Sequence, residues 1–125
     1  MRRLGFVVAT LLAGCDAPRV GVLTDSTCPP TDKPTYDNFG QQFFMDYCLQ
    51  CHSTTKVGAA RNGAPATIDF DSVALIRENT SRIDKQAAFG VTVKNTLMPD
   101  ADAAAFPSDA ERVRLGEYIA CIVGR

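Results

Sequence analysis

Tryptophan is absent, histidine occurs once, at His52, and lysine only at Lys33, Lys56, Lys85 and Lys94. Neither sign of charge dominates. Thirteen Lys and Arg stand against 14 Asp and Glu, a net charge of −1, so the chain lacks the basic surface that binds nucleic acid. The uncharged run from Leu4 to Ala13 falls well short of the ~20 apolar residues that a membrane-spanning helix needs. Internal repeats are missing, and the one strand-like stretch is Val91-Thr92-Val93. With a single histidine, no second Cys/His pair with zinc spacing can be assembled. A length of 125 residues excludes a multi-domain enzyme or a repeat array, and a hydrophobic content of 46% excludes wholesale disorder. What is present in unusual amount is cysteine, at positions 15, 28, 48, 51 and 121.

The N-terminus begins with the cationic Met1-Arg2-Arg3, continues with the short apolar run, and ends it in Leu12-Ala13-Gly14-Cys15. This arrangement resembles the lipobox of bacterial lipoproteins, in which the cysteine becomes the lipidated first residue of the mature chain. The resemblance implies a signal peptide over residues 1–14 and acyl chains on Cys15. It also implies a site in the cell envelope, anchored to a bacterial membrane and facing the periplasm or exterior, where conditions are oxidising. Asp16 resembles an inner-membrane retention signal. The alternative is a core helix that merely starts the protein. From 15 to 36 the chain carries Pro18, Pro29, Pro30 and Pro34 among Asp, Ser, Thr and Gly, which reads as a tether before a folded domain over 37–125.

Within that domain the periodicity is helical. Phe39, Gly40, Phe43, Phe44 and Tyr47 form one apolar face behind Asp37 as N-cap, and residues 53–70 show no period and read as loop. Two short helices are expected, one over Asp71 to Glu78 and one over Ser81 to Phe89, with Ser81 as cap and Gly90 as stop. The last helix has the strongest signal: Ser108 and Glu111 form a capping-box pair after Pro107, and Leu115, Tyr118, Ile119 and Ile122 follow at helical spacing. The expected class is all-α, with about four helices.

Cys48-Leu49-Gln50-Cys51-His52 carries the chemistry. Two thiols three positions apart at a helix end can reach two vinyl corners of one haem as thioethers, and the adjacent imidazole is then aimed at the iron; this is the attachment pattern of haem c. Two other readings use the same residues. A thioredoxin-like redox pair would want a βαβ context, which is not visible, and a structural zinc site would need four ligands.

With Gly40 eight and Phe44 four residues before Cys48, and with the pair Leu115 and Tyr118 on the last helix, the chain resembles the class I cytochromes c across residues 37–123. The resemblance implies a small all-α fold of about four helices wrapped around one covalent haem c. It further implies two terminal helices that cross closely at Gly40 and Gly116, and an electron carrier rather than an enzyme. Cys48 and Cys51 would hold the porphyrin and His52 would be the proximal ligand. For the distal ligand, Met1 is lost with the signal and Met45 lies a turn from Cys48, leaving Met98, whose Thr96-Leu97-Met98-Pro99 resembles the family's distal segment; the bland alternative is a methionine filling a loop core. Pro65 resembles the family proline whose carbonyl accepts the proximal imidazole N–H. Arg61 and Arg82 are candidates to neutralise propionates, and Phe39, Phe44, Leu97 and Tyr118 to surround the porphyrin. Partners would be redox proteins of the envelope, with no strongly acidic docking patch indicated by so few lysines, and the chain is expected to be a monomer. A haem-based ligand sensor or small peroxidase-like protein is the alternative function, and it depends on Met98 not binding.

Once Cys15 is assigned to lipid and Cys48 with Cys51 to haem, Cys28 and Cys121 remain. An even remainder in an exported chain suggests a disulfide, against the alternative of two free thiols.

Overall fold

The computed structural model describes residues 20–125; the expected signal peptide over 1–14, Cys15 and Asp16 lie outside the described residues. Among the described residues there are four α-helices and no strand: α1 (Gln41–Tyr47), α2 (Val73–Glu78), α3 (Thr80–Ala87) and α4 (Asp109–Val123). The chain is therefore all-α, as its periodicity indicates. α1 continues a π-helical turn, Tyr36–Gly40, and a 3₁₀ turn, Gly58–Arg61, interrupts the long loop that follows it.

The start of the first helical segment departs from expectation. Its cap is Thr35, whose side chain accepts from the Asn38 N–H while the Asn38 side chain accepts from the Thr35 N–H. Asp37 sits inside the first turn instead, where a negative charge suits the helix dipole. α3 likewise begins one residue before Ser81, behind Asn79, with no side-chain cap, and ends at Ala87 because Ala88 is extended. Val91-Thr92-Val93 forms a turn closed by the Gly90 N–H on the Val93 carbonyl, and an isolated bridge between Phe89 and Lys94 is the only strand-like pairing among the described residues. α4 matches its pattern: Ser108 and Glu111 form the reciprocal box, and Gly124 closes the helix in the left-handed region at φ 76°.

α4 packs on α3 and on the π-helical turn. Phe43, Phe44, Phe70, Ile76, Ile83, Leu115, Tyr118 and Ile119 form the buried core. Gly40 permits the close approach of the first segment to α4, since a Cβ there would lie 2.8 Å from the Tyr118 ring. Gly116 has a different reason from the expected helix crossing: its Cβ would meet the Phe89 carbonyl at 2.7 Å and the Ser26 side chain.

Ser26 belongs to the segment expected to be a loose tether. From Val20 onward that segment is instead an arm docked on the domain. Val22 exchanges hydrogen bonds with the buried Asn95 side chain, donating at 3.3 Å and accepting at 2.7 Å. Thr24 donates its N–H (3.0 Å) and its hydroxyl (2.6 Å) to the fully buried Asp84. Cys28 is disulfide-bonded to Cys121 with Cα atoms 4.5 Å apart, and its N–H donates to the Arg125 carbonyl. Proline and small polar residues do suit an irregular extended path, but side chains on α3, α4 and the 89–95 turn supply the backbone partners such a path needs.

Candidate functional site

The helical turns of α1 stop at Cys48, and the backbone tightens there: the N–H groups of Cys51 and His52 both donate to the Cys48 carbonyl. This turn places Cys48, Cys51 and His52 on the wall of one cavity of about 1000 Å³, the upper end of the range for small-molecule and cofactor sites. Phe43, Phe44, Tyr47, Ile68, Phe70, Ile83 and Ala87 supply most of the apolar wall. Met98 lines the same cavity from the loop after α3. Residues 46 positions apart in sequence, His52 and Met98, thus share one space. Met45 is outward-facing and 55% exposed.

Cys48 and Cys51 are not bonded to each other or to the other cysteines of the described residues. Burial pushes the Cys48 thiol up to about 12, and a thiol held protonated is a poor partner in thiol–disulfide exchange. Among the described residues no group of three or more His, Cys, Asp or Glu is arranged to hold a metal ion.

His52 is held from two sides. Its Nδ1 lies 2.8 Å from the Ile68 carbonyl, and its ring packs on Phe70 at 4.9 Å between centroids. With Nδ1 engaged, Nε2 is the nitrogen left for a ligand bond. The carbonyl partner is therefore Ile68, not Pro65. The Pro65 carbonyl is taken by Arg61 at 2.7 Å.

Arg61 corrects a second expectation. It is buried, and its guanidinium donates to the carbonyls of Ser53, Lys56, Ala64, Pro65 and Ile68 and to the Asp69 carboxylate at 2.8 Å. No donor is left for a propionate. The residue instead ties the loop after His52 into a fixed shape, and its bond to the Ile68 carbonyl (3.1 Å) shares that oxygen with His52. Arg82, by contrast, is exposed and lines the cavity, and it donates to Asn79 at 3.2 Å.

The expected porphyrin neighbours divide. Phe44 lines the cavity, whereas Phe39 and Tyr118 pack on each other at 6.0 Å in the core behind it. Leu97 lines a smaller space of about 550 Å³ beyond Met98.

Three features escape a reading of the sequence alone. Arg112 is buried on α4 and donates one Nη to the carbonyls of Ala87 (2.9 Å), Asn95 (3.2 Å) and Met98 (2.9 Å). The Met98 N–H donates to Gln86 at 2.9 Å, so the backbone of this residue is gripped on both sides. An arginine on the same stripe as Leu115 and Ile119 was the available signal. The other two are latches across the cavity: Asn62 donates to both oxygens of Asp102 at 3.0–3.1 Å, and the Ala104 N–H reaches the Gln50 side chain at 3.4 Å. Neither pair carries a sequence signal.

Comparison of the chain with protein-family models, with curated proteins and with solved structures finds no match.

Proposed function

We propose that the protein is a monohaem c-type electron carrier of the bacterial cell envelope. The observation that carries this reading is one largely apolar cavity shared by two unpaired thiols, an oriented imidazole and a thioether. Its size and lining suit a porphyrin, which is what a covalent haem c requires of its surroundings. When bound, the haem supplies a one-electron iron couple.

The residues divide the remaining work. Cys48 and Cys51 would hold the group as thioethers, and His52 would ligate through Nε2 because the Ile68 carbonyl fixes Nδ1. Met98 would supply a second ligand, a soft thioether that favours ferrous iron. The grip of Arg112 and Gln86 on the Met98 backbone supports a fixed ligand, and so favours the carrier over a ligand sensor or small peroxidase. Lys85, Arg82 and Val20 line the rim. Anchoring through lipid on Cys15 and exchange with redox proteins of the envelope complete the reading.

The test is production of the full chain in a host that attaches haem c, followed by intact mass and a haem stain after denaturation. The expected mass includes one haem, lost in Cys48→Ser/Cys51→Ser. Absence of covalent haem in the wild-type protein would overturn the proposal.

A further inference from the structure

A free tether over 15–36 would let the domain range widely, since 21 residue steps extend to roughly 70 Å. The docked arm removes nearly all of that freedom. Its first fastening is at Val22, and Gly21 is already pressed against the Lys85 backbone, where a side chain would not fit. Between Cys15 and Val20 only five residue steps remain, at most about 18 Å of chain. Val20 itself lines the rim of the main cavity together with Arg82 and Lys85.

The surface at this end of the arm is apolar and open. Val20 is 68% and Val22 63% exposed, with Leu23 beside them at 36%. The arm is fastened at Val22 and Thr24 by hydrogen bonds to backbone groups and to the Thr24 hydroxyl, which leave the Val22 side chain in solvent. Apolar side chains next to cationic Arg82 and Lys85 are the composition that settles at a lipid headgroup boundary.

We propose that the arm end and the adjoining cavity rim lie against the membrane that carries the acyl chains of Cys15, so that the domain works pressed to the lipid surface. This rests on the reading of Cys15 as lipidated.

The experiment uses the full chain in its native membrane, with Val22 replaced by the photo-crosslinking residue p-benzoylphenylalanine, and Val57, exposed elsewhere, replaced in a control. Illumination is expected to give a phospholipid adduct from position 22 and none from 57. Inserting roughly twenty Gly/Ser residues after Asp16 should leave the protein in the membrane fraction and reduce the adduct about tenfold, because effective concentration falls as about the −3/2 power of linker length. A membrane-bound protein whose position 22 links to protein alone, or to nothing, overturns the inference. So does an adduct that is undiminished by the insertion. A protein that washes off the membrane and lacks acyl mass overturns the lipidation reading instead.

Discussion

At the residue scale the decisive groups are those that hold other groups still. On the haem reading, Met98→Ala leaves Cys48, Cys51 and His52 in place, so the haem would stay attached while the iron would lose a ligand that favours its ferrous form. The expected outcome is a lower reduction potential, carbon monoxide binding, and loss of the weak sulfur-to-iron absorption band, whereas Met45→Leu changes none of these. A redox titration with a ferric spectrum checks both. Arg61 and Asp69 form a buried pair, and removing one partner of such a pair typically costs about 3–5 kcal/mol. Arg61→Ala is therefore expected to lower thermal stability sharply, measured by denaturation. Arg61 resembled an exposed propionate partner because an arginine beside Asn62-Gly63 in a polar loop gives no hint of burial. Only the folded loop brings six acceptors around it.

Among the elements, α4 is the one whose ends and face are both written locally. Ser108 holds the Glu111 carboxylate below the ordinary carboxylate range, chiefly through its backbone N–H, with further help from its hydroxyl and from Tyr47 against the opposing cost of burial. A depressed folded value means that the box stabilises fully above the unfolded value and loses this contribution as pH falls through the folded one. Ser108→Ala is expected to cost about 1 kcal/mol at neutral pH. Glu111→Gln should flatten the acid limb of the stability profile, read from urea midpoints across pH. The first helical segment was legible in its apolar face but not in its cap, because Thr35-Tyr36-Asp37-Asn38 offers several residues able to cap, and tertiary packing selects Thr35. Of the docked arm only the Cys28–Cys121 bond was legible, from the even remainder of cysteines. Its other partners, Asp84 and Asn95, lie 60 or more positions away.

For the whole molecule, the Cys28–Cys121 disulfide and, on the haem reading, a covalent cofactor frame a small core. The Cys28–Cys121 bond closes a separation of 93 residues, for which loop-closure entropy gives up to about 4–5 kcal/mol. Non-reducing peptide mapping of the oxidised protein should recover this pair, and Cys28→Ser/Cys121→Ser should melt at lower temperature. An open cavity of about 1000 Å³ in so small a domain leaves much of the apolar wall without contacts. Chain lacking attached haem is accordingly expected to unfold at markedly lower denaturant than the loaded form, followed by far-UV circular dichroism. Cys15→Ser should release a protein from the membrane that still carries haem; retention in the membrane fraction would contradict a lipid anchor.

What the sequence by itself determined is what depends on neighbours within a turn or two: the helical class, the box that starts α4, and the cluster Cys48, Cys51 and His52. Such features follow from spacing along the chain and need no long-range partner. Tertiary structure alone decided that Ile68 rather than Pro65 faces His52, that Arg112 grips the Met98 loop, and that the arm from Val20 is docked. Each of these is a choice of acceptor or donor across the fold. A carbonyl is chemically the same at every residue, so which one meets a given imidazole or guanidinium is settled only by the path of the folded backbone.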